Sequence, residues 1–138
     1  MQKTMCRAAA WLFLLSLLTG GLVPGAMNGS LPFDAHALLA SHLNALMGSF
    51  LLLGVAWTLP LLRYRDGGQR RLGWAFIVAS YGNWAITAAK ARLHVPGLEW
   101  TGDRANDAIF LLLTAFVVVP SLAAAIAWVA GFHGETGG

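Results

Sequence analysis

The stretch 38–62, LLASHLNALMGSFLLLGVAWTLPLL, constrains this chain most: it is apolar enough to cross a bilayer, yet it carries His42 and Asn44 inside it. A hydrocarbon core about 30 Å thick takes roughly 20 helical residues to span. An imidazole at that depth is expensive unless something satisfies it. Either a neighbouring group holds His42 as part of helix packing, or a ligand uses it.

The rest of the chain fits a membrane setting. Hydrophobic residues make up 57% of the sequence and charged residues 11%, against about 25% charged in a soluble domain. Three further apolar runs accompany the first, giving approximate spans at 8–27, 38–62, 72–89 and 108–132 of one all-α, four-helix integral membrane domain. Pro24 and Gly25 break the first run, and Pro120 lies inside the last. A signal peptide would also begin with Lys3 and Arg7 ahead of an apolar core, but PGAMNG is a poor cleavage site, and a retained first helix is the expectation. The net charge of +3 comes from residues between the apolar runs rather than on one face, so no nucleic-acid partner is expected. The lone cysteine, Cys6, excludes an intrachain disulfide.

Charge also sets the expected topology. The N-terminal tail and the loop RYRDGGQRR hold six Lys and Arg residues, against three in the 90–107 connection. The positive-inside rule then puts both termini in the cytoplasm, with the protein in a bacterial-type inner membrane.

Two helices carry polar residues where lipid would prefer none. Around His42, residues Ser41, Ala45, Gly48 and Ser49 make a small-residue face that admits a close helix or a flat ligand. In the third span Ser80, Asn83, Thr87 and Lys90 are spaced 3, 4 and 3, which puts them on one helical face. That stripe is either an interhelical hydrogen-bond ladder or one wall of a cavity opening toward the same outer half as His42. Trp84 is a candidate pocket wall, while the other five tryptophans fall near span ends. His36 is a loop residue, a cap or a second ligand; His94 and His133 read as loop and tail residues, and Asp107 as a first-turn acid. There is no nucleophile elbow, HExxH or phosphate loop, so chemistry here needs a bound cofactor. An intramembrane histidine is of the type that ligates haem.

The text ASHLNALMGSFLLLGVAWTLP followed by SYGNWAITAA resembles the small membrane isomerases that include hydroxylaminobenzene mutase and the haem-dependent styrene oxide isomerase. The SHL opening and the Asn83–Trp84 pair resemble the mutase more closely. The resemblance implies a homotrimer with haem b near the subunit interfaces, His42 as axial iron ligand, Ser41, Ala45, Gly48, Ser49 and Trp84 around the cofactor, and Asn83 and Thr87 on the distal side. It also implies a small aromatic substrate: an arylhydroxylamine giving an aminophenol, or alternatively an aryl epoxide giving an aldehyde. The chain departs from the pattern at Gly48, where the family has an asparagine, and at Thr87, where the epoxide isomerase has a tyrosine. From another class, a two-histidine haem-binding or electron-transfer subunit and a cofactor-free packing subunit remain open.

Overall fold

Why the helices stop where they do is legible from a few residues. The computed structural model describes residues 1–133, which are helical and without strands. Helix α1 (Gln2–Met27) runs through Pro24 instead of breaking there. A proline so near the end forfeits one bond, that to the Gly20 carbonyl, and the Asn28 amide closes the last turn on the Pro24 carbonyl at 3.0 Å. Asp34 caps α2 (Ala35–Thr58), its carboxylate accepting from the Ala37 amide at 2.7 Å. Its own amide bonds the Ala91 carbonyl at 2.9 Å, tying this turn to the far end of α3 (Asp66–Leu93). Pro60 ends α2 in a short 3-10 turn, Leu59–Leu61.

The fourth span has two parts, α4 (Arg104–Leu113) and α5 (Val119–Phe132), joined by a π turn at Thr114–Val118. Pro120 explains the turn: it cannot donate to the carbonyl of residue 116, and the ladder relaxes to the wider i→i−5 pattern, with the Val119 amide reaching the Thr114 carbonyl.

Packing is uneven. The buried residues of α1 are Met5, Ala9, Leu12, Ser16, Thr19, Val23 and Ala26, alternating steps of four and three. That is the spacing of a single seam between two helices, and the partner is α2. The opposite side of α1 exposes Trp11, Leu14, Leu17 and Leu18. Within α5 only Ala124 and Gly131 are buried, while Leu122, Ile126 and Val129 lie open. Apolar surface left bare on this scale marks lipid or a further protein chain. Three helical stretches, Gln2–Met27, Ala35–Leu61 and Arg104–Phe132, are long and apolar enough to cross a membrane. At 28 residues, α3 is about 40 Å long, and the polar stripe and charged ends make it less apolar.

One end of the bundle is closed by the basic loop. The Tyr64 hydroxyl donates to the Ala127 carbonyl at 2.7 Å, the Arg63 amide to Gly131 at 3.1 Å, and Trp128 Nε1 to the Thr58 hydroxyl at 2.9 Å. The N-terminus lies at this same end, where Met1 and Thr4 share a crevice with Asp66 and Arg70. At the other end Asn106 and Asp107 organise the long loop. Asn106 Oδ1 accepts from the Gly97 amide at 2.7 Å, and the Asp107 carboxylate accepts from the Thr101 and Gly102 amides at 2.9 and 3.1 Å. Asp107 does sit in the first turn of α4, and its carboxylate additionally folds the preceding loop back onto the helix.

Candidate functional site

His42 turns toward α1. Its Nδ1 lies 2.8 Å from the Ser16 carbonyl oxygen and 3.1 Å from the Ser16 hydroxyl, which in turn donates to the His42 carbonyl at 3.0 Å. A carbonyl oxygen only accepts, so Nδ1 carries a proton, and in the neutral ring Nε2 is the nitrogen with the lone pair. The ring fits there because residue 20 is glycine: a Cβ on it would stand 2.8 Å from Nδ1 and 2.9 Å from Cε1. Among the described residues Nε2 has no hydrogen-bond partner, yet no side-chain nitrogen or oxygen is both buried and unpaired. The lone pair therefore reaches an accessible surface, on a ring that is half-buried.

Asn44 turns the other way. Two residues along a helix is a rotation of about 200°, and Asn44 meets α3, where its Nδ2 donates to Asn83 Oδ1 at 3.1 Å and to the Thr87 hydroxyl at 3.2 Å. The Thr87 hydroxyl closes the triangle on Asn83 Oδ1 at 3.5 Å. Asn44 and Asn83 border a cavity of about 300 Å³. Its other walls include Met47, Leu51 and Phe76, together with Val117 and Ser121 from the π turn and α5. Thr87 is buried behind the two asparagines and does not line it. A larger groove of about 400 Å³ between α3 and α5 is walled mainly by alanines, with Tyr64 and Arg71 at its end, and presents no comparable polar cluster.

Within one chain, then, His42 and the Asn83 stripe do not share a space. The small residues near His42 lie in helix seams. The Ser41 hydroxyl donates to the Trp84 carbonyl at 2.9 Å, the Ser49 hydroxyl to its own helix at Leu46 at 2.6 Å, and Ala45 is wholly buried. A Cβ on Gly48 would stand 3.1 Å from both Leu12 and Ser80, so this glycine lets α1 and α3 close on α2 together. Trp84 reaches across to α1, its Nε1 donating to the Thr19 hydroxyl at 3.0 Å. His36, His94 and His133 are exposed, and Lys90 is half-buried near the end of α3. Among the described residues no three of His, Cys, Asp and Glu gather as metal ligands.

The sequence reading did not pick out Ser16, Thr19 and Gly20. Their signal was present: small and hydroxyl residues in an otherwise apolar helix, with Ser16 and Gly20 four apart, mark a close helix contact.

The family model for styrene oxide isomerase matches residues 1–132. Among curated relatives, hydroxylaminobenzene mutase HabA of Ectopseudomonas oleovorans is 34% identical over 86 residues. That match spans 61% of this chain and 58% of the mutase.

Proposed function

The chain belongs to the styrene oxide isomerase family, and from that premise we propose that it is a membrane-embedded haem b isomerase that rearranges arylhydroxylamines to aminophenols. The observation that carries this reading is the state of His42. Its Nδ1 proton is committed to the Ser16 carbonyl and its Nε2 lone pair is free and accessible, which is what an iron-ligating imidazole requires. Standing apart from any cluster of ligands among the described residues, such a histidine would suit an iron that arrives within its own macrocycle. Ferric haem held by His42 would supply a Lewis acid, drawing electron density from the substrate's N–O bond.

The chain's own residues supply the rest. The Ser16 carbonyl keeps the proton on Nδ1 and Gly20 leaves the ring its place. Asn83 offers a polar contact to an oxygen in an otherwise apolar cavity. Met47, Leu51, Phe76 and Val117 keep water from the reacting bond, so a developing cation is recaptured within the molecule. Substrate and product are isomers, and no reductant is consumed.

His42 and Asn83 face opposite sides of α2, so one copy does not close the site. A homotrimer, in which His42 of one copy meets the Asn83 face of the next, is consistent with the apolar surface left bare on α1 and α5. The proposal includes residence in a bacterial-type inner membrane with both termini cytoplasmic, a reading supported by the basic loop and N-terminus sharing one end. A second reading, aryl epoxide to aldehyde, is favoured by the name of the matching family model. Against it stands Thr87, buried behind Asn83 and outside the cavity lining, at the position where the resemblance gives the epoxide isomerase a tyrosine.

Turnover in ¹⁸O-water by the haem-loaded protein tests the proposal. Phenylhydroxylamine is expected to give aminophenol carrying its own oxygen, faster than styrene oxide gives phenylacetaldehyde. Oxygen taken from water, or equal rates with and without haem, would sink it. Preferential turnover of the epoxide would establish the second reading instead.

A further inference from the structure

Asn83 has one end committed and one end spare. Its Oδ1 accepts from Asn44 and from Thr87, while its Nδ2 has no partner among the described residues. Since no buried side-chain nitrogen or oxygen lacks a partner there, that Nδ2 must reach open space. The open space bordering Asn83 is the 300 Å³ cavity.

Asn44 is what holds this arrangement. It spends one Nδ2 hydrogen on Asn83 and the other on Thr87, so it occupies Asn83 Oδ1 and orients the hydroxyl that supports it. The remaining walls are apolar, apart from Ser80 and Ser121. A cavity of about 150 Å³ already accepts benzene, so this one takes a single aromatic ring with a short substituent.

We infer that Asn44 is a positioning residue that locks the Asn83 amide with Nδ2 toward the cavity, making it a site for one aromatic ring that bears a hydrogen-bond-accepting oxygen. The place of this site in turnover rests on the isomerase reading; its binding preference rests on the triangle alone. In turnover Asn83 touches the substrate oxygen, while Asn44 and Thr87 act through Asn83. Asn44 Oδ1, which has no partner among the described residues and belongs to a side chain bordering the same cavity, leaves a place for a donor as well, so the Asn83 Nδ2 contact is read against a ring that has neither.

Fluorine NMR titration of the full-length protein in detergent, with and without haem, tests that contact. 4-Fluoroacetophenone carries an acceptor, and 4-fluoroethylbenzene carries neither donor nor acceptor. Wild type is expected to bind the ketone about three- to tenfold more tightly than the hydrocarbon, the range a single hydrogen bond gives. Asn44→Leu, which keeps the branched shape at Cγ, is expected to remove that preference so that ketone and hydrocarbon bind alike; general loss of structure would weaken both. Should Asn44→Leu fail to fold, Thr87→Val against Thr87→Ser carries the same comparison, only the valine losing the preference. Equal binding of ketone and hydrocarbon by wild type, or an unchanged preference in Asn44→Leu, would overturn the inference. Failure of the haem reading shows separately, as a protein that discriminates these ligands yet takes up no haem.

Discussion

The two faces of α2 are built by opposite rules. On the α1 side, His42 sits in a close cradle: one carbonyl takes its proton and one glycine makes its room. On the α3 side, two residues further along, Asn44 and Asn83 leave space, and about 300 Å³ of it is walled by apolar side chains. A tight cradle fixes the direction of one lone pair. An open cavity with one oriented amide selects a ligand by shape and by a single polar contact. Placing the two on opposite sides of one helix separates holding from selecting, and under the proposed reading a complete site would draw on more than one copy.

If that division is right, damage to one face should leave the other intact. His42→Ala should have the largest effect, abolishing haem uptake and rearrangement while ligand binding in the Asn83 cavity persists; a spectrum and a titration on the same sample check both halves. Gly20→Ala should come next. Its Cβ would fall within 3 Å of the ring, and displacing a ligand's support typically costs 10–100-fold in affinity, measurable as weaker haem retention with the His42 side chain still present. Gly48→Ala probes the helix between the faces: contacts at 3.1 Å to both Leu12 and Ser80 predict a loss of about 1–3 kcal/mol in unfolding free energy. Ser16→Ala should matter least. It removes the hydroxyl bonds but keeps the carbonyl that receives the Nδ1 proton, so a stability loss of about 1 kcal/mol and an unshifted haem spectrum are expected.

Much of the helical layout was legible, because charge and length mark membrane spans directly. The arginines between two apolar runs announce a turn, which holds Arg63 and Arg65, but α3 begins already at Asp66 and takes Arg70 and Arg71 into its first turns. Direction within the bundle was not legible. Helix α1 is apolar almost all round, so hydrophobicity does not say which side faces α2; only Ser16, Thr19 and Gly20 hint at it, and hints of that size need a partner helix to be interpreted. The Ser80, Asn83, Thr87 and Lys90 stripe does lie on one face of α3, yet its members meet different surroundings. Ser80 packs on Gly48 and shares the cavity wall with Asn83, while Thr87 is buried behind it. A helical face is wide enough to straddle a seam and a space, and spacing alone does not tell them apart. Pro120 was visible as a disturbance, but the π turn it produces, which brings Val117 and Ser121 to the cavity, depends on how the ladder upstream relaxes.

The central claim is that His42 presents Nε2 to a haem iron. Absorption spectra of the detergent-purified protein supplied with haem, ferric and dithionite-reduced, test it most directly when taken alongside His42→Ala. The account predicts a Soret band in the wild type, shifted on reduction, that is lost or displaced in the variant. A wild type that stays colourless, or a spectrum identical in the variant, would contradict it.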